Sequence, residues 1–264
     1  MYEKWKGVHT RCAFNMIQEL IPLTRPRTLA AALGPTILGA AFSYYAFGAA
    51  QGTGLAIFHT MLIFLAVVTA QIVANLWNEY KDFKSGLDAG QKVGNAGSIT
   101  RGVITPELII TMIKALMFVP IIIGLYLSAT ITWYYIPVGF LCILISFLYS
   151  GGPKPISRTP FGEISSGIAM GFAIVLITGY AWIRELSLAL LIPAIPSTLL
   201  VGSIMLTNNI RDIRNDESHG RHTLPIVLGR ERALSLMSIS YIFNFIWIIA
   251  WIIVGHMTWF ALLA

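Results

Sequence analysis

The chain has 264 residues, of which 56% are hydrophobic and 11% charged, with a mean hydropathy of +0.73 and a formal net charge of +6. A soluble domain needs about 25% charged residues to cover its surface, so this composition excludes an ordinary water-soluble fold and points to one integral-membrane domain, residues 1–264. Cys12 and Cys142 lie far apart and match no metal or redox spacing, which excludes a disulfide framework.

In chain order, residues 1–27 are mixed and amphipathic, with Lys4, Lys6, Arg11, Arg25 and Arg27, and contain nothing that resembles a cleaved signal peptide. Apolar runs of spanning length, about 20 residues, follow at 28–49, 55–77, 107–127, 131–149, 162–183, 187–207 and 233–255. An eighth would begin at "TWFALLA", where the sequence stops at Ala264. The runs are long and do not alternate, so the expected class is an all-α transmembrane bundle of seven spans plus the start of an eighth, not a barrel.

The connections carry the charge. The second-to-third holds Lys81, Lys84, Lys92 and Arg101, the fourth-to-fifth Lys154 and Arg158, and the sixth-to-seventh Arg211, Arg214, Arg221, Arg230 and Arg232. On the other side stands Arg184. The excess of basic residues predicts a cell-membrane protein with its N-terminus and these three connections in the cytoplasm. It also accounts for the basic balance without nucleic acid as a partner. Of the twelve acidic residues, only Glu185 falls outside, an asymmetry the rule does not require.

Two acidic clusters end even-numbered spans on that charged side. In "NLWNEYKDFKSGLD", Asn75, Glu79 and Asp82 share one face if the helix continues, and Asp88 falls beyond Gly86. In "NNIRDIRNDESHGRHTLPIVLG", Asn208, Asp212 and Asp216 recur at i, i+4 and i+8. The clusters lie four spans apart, as an internal repeat of four-helix units would place them. Stacked carboxylates and amide oxygens suit Mg²⁺, which takes one or two carboxylates together with water and phosphate oxygens. Two such faces would hold one diphosphate, with Lys84, Lys92, Arg101, Arg211 and Arg221 as candidate phosphate cations. Arg101 and Arg221, in loops beyond their clusters, are best placed to fold back over it, with Lys84 third. Arg211 points about 100° from the metal face and is equally suited to pair with an acid such as Glu217. Taken singly, each cluster also fits a water-facing helix end with local ion pairs. The loop "LYSGGPKPISRTPFGEI" places Tyr149 and Ser150 at the bundle mouth, with Lys154, Arg158 and Glu163 behind them.

These segments, with "RPRTLAAALGPTILG" and "GSITRGVITP", resemble the UbiA superfamily of intramembrane aromatic prenyltransferases, and within it the menaquinone branch. The resemblance implies a UbiA-like fold and Mg²⁺-dependent transfer of a polyprenyl group from polyprenyl diphosphate to an aromatic acid. The implied acceptor is 1,4-dihydroxy-2-naphthoate, which loses its carboxylate on the way to demethylmenaquinone. It further implies that Asn75, Asn78, Glu79 and Asp82 form the first metal site and Asn208, Asp212 and Asp216 the second. Tyr149 and the loop through Lys154 to Glu163 would line the acceptor site. Glu79 stands where the family usually has Asp, and the family usually has nine helices, so the last ones are expected to be missing here. Two alternatives stand beside it: another acceptor of the 4-hydroxybenzoate type, and a membrane transporter with an acidic ion site between helices.

Overall fold

A computed structural model describes residues 20–86 and 98–259. Among these residues there is no strand, and eight helices follow one another: α1 (Ala30–Phe47), α2 (Thr53–Ser85), α3 (Pro106–Thr130), α4 (Tyr135–Ser150), α5 (Gly162–Ile183), α6 (Leu191–Ser218), the short α7 (Leu224–Leu228) and α8 (Arg230–Ile253). Every expected span has its helix. Six of them are long and apolar enough to cross a membrane, and the chain is a multi-pass membrane protein. The exception is α4, whose 16 residues rise about 24 Å, short of a hydrocarbon core of about 30 Å. It begins only after Trp133 and Tyr134, whose exposed rings suit the membrane interface. Most of the expected eighth segment lies outside the described residues.

Two helices run past their expected ends. α2 continues from the expected residue 77 to Ser85, and α6 from 207 to Ser218. Neither extension contains Gly or Pro, so nothing in the backbone stops the helix where the apolar run stops. At 33 residues α2 is about 50 Å long, so its last turns rise out of the hydrocarbon. Gly86 ends it in a left-handed conformation, φ 74°, with its N–H on the Asp82 and Phe83 carbonyls.

The helices pack in neighbouring pairs. α2 lies on α3, α1 on α5, and α6 on α5 and α8. Between α5 and α6 the approach is so close that a Cβ on Gly167 or Gly171 would stand 2.5 or 2.6 Å from the carbonyl oxygens of Thr198 or Ser197. Small residues at such a crossing let membrane helices meet backbone to backbone. The same stretch of α5, Gly167–Phe172, winds as a π-helix, a form that recurs near functional sites. Leu23 anchors the entry segment in a core of Val73, Leu76, Ile104 and Ile109. Outward-facing Phe118, Phe140, Phe245 and Ile253 remain exposed, as lipid-facing residues do.

At the end of the bundle away from the acidic clusters, Gln51 donates to the Ala181 carbonyl at 2.6 Å and contacts His59 Nδ1 at 3.0 Å. Arg184 bonds to Gln51 and to the Thr130 carbonyl. This network ties α2, α3 and α5 across their loops.

Candidate active site at the charged end

The first cluster is wired into the protein at every position. Asn75, 7% exposed, donates its amide to the Thr24 carbonyl at 2.9 Å. Asn78 Oδ1 accepts from the Ser150 hydroxyl at 3.0 Å, which joins α2 to α4. Glu79, 1% exposed, accepts the Ser98 backbone N–H on Oε1 at 2.8 Å. Arg101 Nη2 in turn donates to Ser98 Oγ at 3.2 Å. Glu79 and Arg101 thus fasten the start of the segment that leads into α3. Asp82 Oδ1 pairs with Arg221 Nη2 at 3.0 Å.

The second cluster is less settled. Asp216, 3% exposed, pairs through Oδ1 with Arg221 Nη1 at 3.3 Å. Asp212 does not share that environment: its side chain is 43% exposed and held bidentately by Arg211 at 2.9 Å on both oxygens. Arg211 therefore takes its immediate neighbour, not Glu217. Such an exposed pair contributes little energy, about 0–1 kcal/mol, and opens easily. Asn208 is half-buried and its side chain has no hydrogen bond among the described residues. Its neighbour Asn209, which the spacing did not single out, donates to Glu163 Oε1 at 2.8 Å.

Arg221 is the joint between the clusters. His219 N–H and Arg221 N–H both return to the Asp216 carbonyl, and Gly220, at φ 67°, turns the chain back over the end of α6. The guanidinium then meets Asp216 on its own side and Asp82 from α2. One side chain spans the gap, so carboxylates far apart in the sequence share a single guanidinium.

Other basic groups gather here. Arg25 and Arg158 both lie near enough to Asp82 to act on its charge. Arg25 reads in sequence as an interfacial anchor, and only its left-handed φ of 49° at the entry to α1 marks it as special. The Tyr149 hydroxyl faces Ser166 and lies near Glu163, which puts it between the end of α4 and the start of α5. Lys84 and Lys154 are exposed and are in none of the ion pairs described above. Lys92 lies outside the described residues, as does Asp88. A separate cavity of about 660 Å³, lined by Ile210, Arg211, Arg214, Glu217, Pro225 and Arg230 among others, flanks another side of α6 and contains neither Asp82 nor Asp216.

Among the described residues no three His, Cys, Asp or Glu side chains form a preassembled metal cage. Mg²⁺ does not require one, because substrate phosphate and water complete its octahedron. Three buried polar atoms at the second cluster, Glu163 Oε2, Arg221 Nε and Thr223 Oγ1, have no partner among the described residues. Buried polar atoms are normally satisfied, so this end of the bundle has hydrogen-bonding capacity for a polar ligand. The donor set, two converging carboxylates with amide oxygens nearby, fits a divalent cation carrying a diphosphate.

Comparison with known proteins identifies the family and the fold. The profile of the UbiA prenyltransferase family matches residues 32–264. A 1,4-dihydroxy-2-naphthoate octaprenyltransferase of Bacillus subtilis (strain 168) is 39% identical over 248 residues, covering 91% of this chain and 76% of the relative. The enzyme so named in Mycobacterium tuberculosis is 31% identical over 238 residues, with 88% and 79% covered. In fold, the chain is similar to a UbiA homolog from Archaeoglobus fulgidus bound to GPP and Mg²⁺, with a TM-score of 0.67 at 17% identity, over 87% of this chain and 76% of that one. An apo UbiA homolog from Aeropyrum pernix K1 gives a TM-score of 0.67 at 19% identity, with 90% and 82% covered.

Proposed function

The chain belongs to the UbiA prenyltransferase family, and on that footing we propose that it transfers a polyprenyl group from a polyprenyl diphosphate to 1,4-dihydroxy-2-naphthoate. The observation that carries this assignment is the meeting of Asp82 and Asp216 at Arg221, at the polar end of an apolar bundle. A diphosphate headgroup needs cations and metal ligands at the membrane surface, and its tail needs lipid or apolar helices below. Identity to the relatives of the naphthoate branch supports the acceptor.

Asp82 and Asp216, with Asn75, Asn78, Asn208 and Asp212 beside them, would hold Mg²⁺. Bound there, the metal supplies neutralisation of the leaving diphosphate. Arg25, Arg158 and Arg221 share the remaining phosphate charge. Glu79 and Arg101 act one step back: by holding Ser98 they position the segment that leads into α3. Tyr149, Glu163 and Asn209 flank the acceptor. The allylic C1–O bond breaks with its electron pair leaving on diphosphate. A ring carbon bonds to C1, and the carboxylate departs as CO₂, returning its bonding pair to the ring.

The test is an assay of purified protein with Mg²⁺, a polyprenyl diphosphate and a panel of aromatic acids including 4-hydroxybenzoate, read by product mass. The expected product forms from the naphthoate and lacks the mass of CO₂. Transfer to another acid instead, or to none, overturns the assignment. The positive-inside asymmetry supports a cytoplasmic site. Cysteines placed at Ser85, Ser157 and Ser218 are expected to react with impermeant reagents only from the cytoplasmic side, and labelling from outside intact cells would contradict it.

A further inference from the structure

Arg221 is held in place by its backbone and underused by its side chain. Its N–H donates to the Asp216 carbonyl at 3.0 Å, and the next N–H, of His222, donates to the Arg158 carbonyl at 3.0 Å. The main chain is therefore fixed at both ends of the residue, and only the side-chain torsions are free to change. The side chain is 14% exposed, its guanidinium contacts one oxygen of Asp82 and one of Asp216, and its Nε is buried with no partner among the described residues. A guanidinium offers five N–H donors in a fork that suits phosphate, so its present position leaves part of that capacity unused.

The carboxylates depend on it. The Asp82 and Asp216 side chains are 13% and 4% exposed, and removing the counter-charge from buried carboxylates is strongly destabilising. Arg25 and Arg158 act on Asp82 from farther off. Yet the same carboxylate oxygens are those a divalent cation would take. One oxygen lone-pair set cannot fully serve the guanidinium and a metal at once.

We propose that Arg221 is an internal counter-cation that holds the two acidic clusters together while the site is empty, and that yields both carboxylates to divalent metal by turning onto the diphosphate. This inference rests on the prenyl-diphosphate reading of the site. It assigns Arg221 two successive partners. It also makes metal and diphosphate mutually dependent: metal alone must displace Arg221, whereas metal with diphosphate gives the displaced guanidinium a new anion. Such coupling is reciprocal and commonly amounts to about 5- to 150-fold in affinity.

The experiment uses the whole chain in detergent and measures Mn²⁺ affinity, with and without inorganic diphosphate, together with the thermal unfolding midpoint. Arg221→Gln is expected to bind Mn²⁺ about 10-fold tighter than the wild type without diphosphate. The gain in Mn²⁺ affinity that diphosphate confers on the wild type is expected to shrink by a similar factor. Its metal-free midpoint falls, and Mn²⁺ restores it. Unchanged or weaker Mn²⁺ binding with unchanged coupling overturns the proposal and leaves Arg221 a fixed brace. If Arg221→Gln does not fold, Arg221→Lys decides: it keeps the charge but loses the fork, and should bind Mn²⁺ about threefold tighter, while no gain overturns the proposal. If the wild type transfers prenyl groups with Mg²⁺ but the variants gain no affinity, this inference fails and the functional assignment stands. If the affinities shift but no acid is prenylated, the assignment fails instead.

Discussion

The polar ends of α2 and α6 carry similar residues at similar spacing and are built differently. On α2, Asn75, Asn78, Glu79 and Asp82 each have a partner from another element: Thr24, Ser150, Ser98 and Arg221. On α6, Asn208 has none among the described residues, Asp212 is held by its sequence neighbour, and unpaired buried atoms of Glu163, Arg221 and Thr223 lie close by. The first cluster is part of the scaffold that fixes the loops. The second retains bonding capacity for what enters. A matching motif therefore does not mean a matching role, since what differs is how many other elements each helix face touches.

Substitutions can break this contrast. The largest effect is expected where the clusters meet: Asp82→Ala or Asp216→Ala should lower kcat/KM by at least about 100-fold, because removing transition-state charge stabilisation commonly costs about 3 kcal/mol. Steady-state kinetics with naphthoate checks it, and near-wild-type rates would contradict it. Next, Glu79→Ala should lower stability, by about 1–3 kcal/mol for the Ser98 N–H left without its acceptor. Asn208→Ala should leave the unfolding midpoint unchanged while raising the Mg²⁺ concentration for half-maximal rate by about 10-fold, a metal-coordination effect of the size seen when such ligands or their partners are lost. Equal midpoint losses in the two variants would erase the distinction between the clusters. A smaller effect is expected from Asn209→Ala, which frees Glu163: the KM for the aromatic acid should rise about fivefold, for one hydrogen bond of about 1 kcal/mol, while the KM for prenyl diphosphate stays constant. Last, Lys84→Ala and Lys154→Ala should change neither KM by more than about twofold, as for surface sites away from the chemistry.

Much of this was legible from residue order. Long apolar runs marked the spans, and Gly86 marked where the first polar helix end stops. The i, i+3, i+4 and i, i+4, i+8 spacings put acids and amides on one face of each helix. Other features depend on packing that spacing does not encode. Asp212 and Asp216 share a face, but only Asp216 is buried, because the chain turns back at Gly220 and covers the last turn alone. That Arg221 rather than Lys84 reaches Asp82 follows from the turn after α6, which carries the guanidinium across to α2 and which no local pattern contains. The π-helical stretch at Gly167–Phe172 reads in sequence as ordinary apolar helix, and becomes visible only against Ser197 and Thr198. Arg25 resembled a membrane anchor because its position near Asp82 depends on the fold of residues 20–29.

The central claim is that both clusters serve one diphosphate, and a double-substitution cycle on Asp82 and Asp216 tests it most directly. Residues that act as a unit give strongly non-additive losses. With kcat/KM measured for Asp82→Ala, Asp216→Ala and the double variant, a single shared site predicts that the double variant is slower than the poorer single variant by no more than about 10-fold. If the two losses multiply in full, the carboxylates act independently and the joint site described here is wrong.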